Sequence, residues 1–165
     1  MSQTKAQLLD FTIEGPDKIS EGNSKVEVVD SGTGYVVAEA DGAEKLRVLA
    51  AGVKLTGSTE TNIVTQAATA GGTTTLDLNS ADNWIVTLAG NTTMGDPSNE
   101  KLGQSGSIWM VQDGTGSRTA AWNSAFKWVG GTAPTLSTAA SSIDRIDYIV
   151  KAAGEVNAVA SLDVK

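Results

Sequence analysis

Apolar residues in this chain recur at every second position, in runs of about five residues that glycine interrupts. Side chains alternate across a β-strand with a period of two, so such runs read as short, half-buried strands. "SKVEVVD" carries Val26 and Val28 on one face. "EKLRVLA" sets Leu46 and Val48 against Lys45, Arg47 and Leu49, and "VKLTG" aligns Val53 with Leu55. Further along, Leu76 and Leu78 share a face, as do Trp84, Val86 and Leu88. "FKWVGG" puts Phe126 with Trp128, and "IDRIDYIV" puts Ile146, Tyr148 and Val150 together. Turn chemistry returns every 8–12 residues or so, the spacing of a sandwich or barrel. Helical periodicity longer than two turns is found nowhere. The expectation is an all-β fold.

The punctuation divides the chain into four stretches. Residues 1–11 form an N-terminal arm in which one helical turn over 4–9 would present Leu8, Leu9 and Phe11 as anchors. Residues 12–57 form a β-meander that serves attachment. Residues 58–71 form a polar, β-branched connector carrying one strand. Residues 72–165 form a β-sandwich-like domain. Within it, "SIWMVQ" runs into Asp113-Gly114, a strong short-range hairpin signal, with "SRTAAW" as the returning strand.

The core is lean. Aromatics make up 5% of the 165 residues, and glycine occurs 18 times. The few large rings therefore carry much of the burial, each covering roughly 150–250 Å². Trp84, Trp109, Trp122, Phe126, Trp128, Ile146 and Tyr148 are the candidates for core or subunit-interface mass. The alternative for an exposed Trp is stacking against a sugar. A chain this short of bulky side chains gains burial by packing against partners, which also covers open strand edges.

Composition removes several classes of function. With no cysteine, disulfides and thiolate metal sites are excluded, and with no histidine the commonest general base is missing. A net charge of −7 with scattered cations disfavours nucleic acid. No stretch approaches a membrane span, and the opening residues hold no apolar run of the length a secretory signal needs. Ser-x-x-Lys occurs at Ser98…Lys101 and Ser124…Lys127, but that spacing works on a helix and neither pair falls on one. "DGTGS" lacks the Gly-Lys-Ser/Thr ending of a phosphate loop. The carboxylates Asp144 and Asp147, or Asp77 and Asp82, carry no mark that separates a catalytic pair from a solvated face. The reading is a non-enzymatic protein with no cofactor and no metal.

One ordered run carries a family resemblance. It comprises Gly103-Gln104-Ser105-Gly106, an apolar strand, Gln112 through Thr119, then Trp122, Phe126-Lys127-Trp128 and Gly131 through Ser137. With "LDLNSADNWIVTLAGNTTM" upstream, residues 72–165 resemble the C-terminal β-domain of tailed-bacteriophage tail-fibre and related virion appendage proteins. "GAEKLRVLAAGVKLTG" resembles the strand–turn–strand units of fibre and spike stems, and "MSQTKAQLL" resembles the starts of some fibre-like proteins of marine phages. The resemblance implies a structural protein on the surface of the virion, usually a homotrimer, in contact with other virion proteins and able to meet a host-surface glycan. Receptor-reaching fibres are generally much longer. The short meander fits either a short fibre-like appendage or a decoration (cement) protein of the capsid shell. A carbohydrate-binding or depolymerising module is the third reading.

Overall fold

The computed structural model describes residues 18–29 and 34–164, with only the backbone at Lys18, Ile19 and Glu21. The arm with Leu8, Leu9 and Phe11 lies outside the described residues, as do residues 12–17 of the expected meander and its turn at 30–33. The fold is all-β, as the alternation predicts. The chain divides into two compact units between Glu60 and Thr61. No helix among the described residues is long and apolar enough to cross a membrane.

The first unit is a single antiparallel sheet. Its strands β1 (Lys18–Glu21), β2 (Ser24–Val29), β3 (Tyr35–Ala40), β4 (Ala43–Leu49) and β5 (Gly52–Leu55) lie in chain order, a meander. Asp41 and Gly42 both have positive φ, 53° and 70°. That is the backbone a two-residue Asp-Gly hairpin turn requires, because it matches the right-handed strand twist.

The second unit holds two sheets. Its strands are β6 (Ile63–Ala67), β7 (Thr73–Thr74), β8 (Asn83–Leu88), β9 (Thr92–Met94), β10 (Ser105–Gln112), β11 (Ala120–Trp122), β12 (Phe126–Trp128), β13 (Ile143–Ala152) and β14 (Glu155–Ser161). Six of them form a mixed sheet in the order β12-β14-β13-β10-β8-β6. The other three, β11-β9-β7, form a small parallel sheet. The strand of the expected connector, β6, pairs in parallel with β8 and is an edge of the large sheet.

Alternation sets the core. β8 buries Trp84, Val86 and Leu88; β10 buries Ile108, Met110 and Gln112; β13 buries Asp144, Ile146, Tyr148 and Val150. Leu76, Leu78, Met94, Phe126, Leu136, Val156 and Ala158 join that inner face in one continuous cluster, with Trp122 and Trp128 packed against it. At about 25 cal/mol per Å² of apolar surface removed from water, this cluster is the main stabilising term of the unit.

The expected hairpin at Asp113-Gly114 is corrected. β10 pairs with β13 and β8, and the returning segment becomes β11, which pairs with β9 in the other sheet. Side-chain hydrogen bonds override the local turn signal. The buried Gln112 accepts from Arg118 N (2.9 Å) and donates to the carbonyls of Arg118 (2.8 Å) and Ser137 (2.9 Å). Asp113 accepts from Thr115 N and Gly116 N and binds the Arg118 guanidinium through Nε and Nη2 at 3.0 and 2.9 Å. The Arg118 hydrogen bonds hold the Asp113 carboxyl below its ordinary range. Gly116, at φ +73°, lies so close to residues 138–140 that a Cβ would come within 2.6 Å of the Thr138 carbonyl oxygen. The loop is clamped away from the sheet it leaves.

Candidate functional site

The large residues singled out in the sequence occupy three places. Trp122, Phe126 and Trp128 form one group. Trp122 meets Phe126 edge-on at 5.0 Å and Trp128 edge-on at 4.8 Å, and Phe126 lies near-parallel to Trp128 at 6.3 Å. Such offset and T-shaped pairs follow the ring quadrupoles and add about 0.5–1.5 kcal/mol each beyond their area. Trp84, Ile146 and Tyr148 lie in the adjoining core. The indole N–H groups of Trp84, Trp122 and Trp128 are buried and meet no acceptor among the described residues. These rings therefore act through area, since an unmade buried hydrogen bond costs roughly 1–3 kcal/mol.

Trp109 stands apart. It points to the opposite, outer face of the six-stranded sheet, half-buried, in register with Ile85 on one side and Arg145 on the other. Its neighbours in chain, Ile108 and Met110, are the buried ones.

The same outer face carries an open groove of about 490 Å³ where β12, β14 and β13 lie side by side. Ile149 and Val159 are exposed apolar residues in it, with Val129 at its end. Lys127, Asp147 and Asn157 supply its polar groups. Asp147 is fixed in place, accepting from Ser107 Oγ at 2.6 Å and from Arg145 Nε at 3.1 Å. The Lys127 ammonium donates to the backbone carbonyl of Ser124, so the Ser-x-x-Lys spacing there yields a backbone tie. An ammonium, a carboxylate and an amide around an aliphatic floor make a surface that can hydrogen-bond a polyol and cover its C–H face. Sequence reading weighed Lys127 only within a Ser-x-x-Lys pattern and the family run, and did not single out Asn157. The one signal available was their outward parity on β12 and β14.

The carboxylate pairs do not assemble. Asp144 and Asp147 are three apart on β13 and point to opposite faces. Asp144, 2% exposed, accepts from Ser137 N at 2.7 Å and Asp163 N at 2.8 Å, tying a loop and the chain's last strand extension to the core. Asp77 accepts from Asn99 Nδ2, Asn79 N and Ser80 Oγ, and the Asn99 bond foremost lowers its carboxyl below the usual range. Asp82 instead accepts from Gln104 Nε2 at 2.8 Å, while its backbone carbonyl accepts from the Tyr148 hydroxyl at 2.8 Å. Burial, and secondarily the Asp82 charge, pushes the Tyr148 hydroxyl up to about 12. Gly106 makes that contact possible, because a Cβ there would lie 1.7 Å from the Asp82 carbonyl oxygen. Among the described residues, no group of three or more acidic side chains could hold a metal ion.

Residues 80–155 match the model of a family described as "Putative phage tail fibre C-terminal domain". This segment is similar to a phage tail-fibre C-terminal domain. It runs from the turn before β8 to the start of β14, so it contains β10, β13, the clamped 113–119 loop and the three-ring aromatic group. The match supports a link to phage virion appendages. Searches of curated proteins and of solved structures found no match.

Proposed function

We propose that this chain is a structural subunit of a short, fibre-like appendage on a tailed-phage virion, built as a homotrimer and presenting its second unit to the host surface. The match of residues 80–155 to a tail-fibre domain carries this reading. Such domains are generally structural, which supports a role in attachment without turnover. The match to a tail protein also weighs for an appendage over decoration of the capsid shell. The arm at residues 1–11, with Leu8, Leu9 and Phe11, would dock on other virion proteins. The outer-face groove of Lys127, Asp147, Ile149, Asn157 and Val159 is the surface offered to a host glycan. Gold-labelled antibody against the chain, seen by electron microscopy, is expected at the tail; label distributed over the head would overturn the reading. Asp147→Ala with Asn157→Ala is expected to lower retention on host-cell glycan at least tenfold, and equal retention would remove recognition from the groove.

A further inference from the structure

Charge is distributed differently on the two larger sheets. In the five-stranded sheet, ion pairs join Lys25 to Glu27 and Glu39, and Glu44 to Arg47 and Lys54. Its register also sets two aliphatic rows, Val26–Ala38–Leu46–Leu55 and Val28–Val36–Val48–Val53, which carry no ionisable side chain. The outer-face groove of the six-stranded sheet differs. Among its lining residues Asp147 is the carboxylate, and both its oxygens are engaged. Oδ1 accepts from Ser107 Oγ at 2.6 Å, and Oδ2 accepts from Arg145 through Nε at 3.1 Å and Nη2 at 3.0 Å. Arg145 thereby offsets the Asp147 charge. Glu155, in the same hairpin, is paired with Lys151 at 2.7 Å. Lys127 is exposed and has no carboxylate partner among the described residues. Its ammonium donates to the neutral carbonyl of Ser124, so its other donors and its whole charge remain. Asn157 lies beside it in register, also exposed, and its side-chain amide bonds to nothing among the described residues.

We infer that this groove takes an acidic sugar, held through its carboxylate by Lys127 and Asn157. The inference rests on the glycan reading of the groove above and names the ligand's chemistry. Three observations choose it. The first is the sense of the hydrogen bonds. The open groups are an ammonium, which only donates, and an amide, which can donate, while the Asp147 acceptors are already engaged. A sugar hydroxyl both donates and accepts, whereas a carboxylate only accepts and so matches what is open. The second is charge. Lys127 and Arg145 against Asp147 leave one positive charge in a groove of a chain at −7. The distant negative charges are screened beyond roughly 8–10 Å at working salt, so the local excess governs a seated ligand. One positive charge suits one carboxylate, whereas a phosphomonoester calls for clustered guanidinium forks. The third is the floor. Ile149 is exposed and in register with Asn157, so apolar surface begins beside the polar pair. The carboxylate of an acidic sugar is joined directly to its ring. A ring anchored at Lys127 and Asn157 therefore lays its C–H face on Ile149.

The test is an array of uronic- and sialic-acid glycans, each beside its carboxyl-reduced form, with sulfated glycans alongside. Reduction leaves the same ring with an alcohol in place of the acid. The full chain is expected to bind the acidic members, and carboxyl reduction is expected to weaken binding about tenfold or more, the scale of one charge-assisted hydrogen bond. Lys127→Gln is expected to weaken the acidic members by a similar factor and to leave the reduced ones unchanged. Its tryptophan emission should stay native, since Lys127 is exposed. Equal binding of acidic and reduced forms would overturn this inference and leave the groove as a neutral-glycan surface. A preference for acids that survives Lys127→Gln would move the charge readout elsewhere and overturn it. Binding confined to sulfated members would do the same. If no member is bound, the glycan reading of the groove falls together with this inference.

Discussion

The two units use the same period-two alternation to opposite ends. In the second, the apolar side of each strand closes on a core: Val86, Leu88, Met94 and Ile146 are fully buried. In the first, alternation is as regular, but the described residues form one sheet without a second layer, and its aliphatic rows are exposed. A sheet is hydrophobic on one face and must bury it against something. The second unit carries its own cover, in the three-stranded sheet and the Leu76–Leu78 segment. The difference teaches that binary pattern specifies which face is apolar, while the number of layers decides whether the chain can satisfy that face alone.

Substitutions at single contacts test how far this contrast goes. The largest effect is expected from Gly106→Ala in the second unit. The added Cβ meets the Asp82 backbone, which cannot yield as a flexible side chain would. A loss of roughly 4 kcal/mol or more is expected, the tail of the single-mutant range, measured by urea unfolding followed through tryptophan emission. Unfolding at the native midpoint would show that the close approach is not a constraint. Strand exchange protection in the first unit should be unchanged, and its collapse would show that the units are not separable.

A middle effect belongs to Tyr148. Its hydroxyl ionises near 12 in the fold, against an ordinary value of 10. The folded state therefore favours the neutral phenol, and its contribution is complete below pH 10. As pH rises from 10 to 12 the unfolded chain ionises first and that contribution is lost. Second-unit stability is expected to fall over that window. Tyr148→Phe should cost about 1 kcal/mol at neutral pH by losing the bond to Asp82, and should flatten the alkaline fall. An unaltered alkaline slope in that variant would point to other groups.

The smallest effect is expected at Glu44. Hydrogen bonds from Lys54 and then Arg47 hold its carboxyl below the ordinary 4.5. A depressed carboxyl stabilises the fold above its unfolded value, and that contribution is lost as pH falls through the lowered folded one. Glu44→Gln should therefore change first-unit amide exchange only slightly at neutral pH, as surface ion pairs do, and should remove part of its dependence on acid and salt. A large loss at neutral pH would mean that the ion pairs hold that sheet together.

Much of the strand pattern was legible in the residues. Trp84, Val86 and Leu88 fall on one buried face, as do Ile146, Tyr148 and Val150, because β-strand parity is local and needs no partner to be read. The pairing was not legible. Asp113-Gly114 has the composition of a hairpin, yet Gln112 and Arg118 draw the chain into another sheet through bonds to Ser137 and to each other. Trp109 carries the same indole as its three counterparts but faces outward, since it sits one position out of phase with Ile108 and Met110. The groove residues Lys127, Asp147 and Asn157 come from three strands brought together by register.

The residues by themselves determined the all-β class, the apolar side of each strand and the tail-fibre likeness of the later part of the chain, since these depend on side-chain type and on spacing along one strand. Only the tertiary structure decided which strands lie side by side, and with that the two aliphatic rows of the first unit. Val26 and Leu55 are 29 positions apart, and register alone, set by hydrogen bonds across three strand pairs, puts them in one line. Long-range pairing is a property of the whole chain's packing, and no local window contains it.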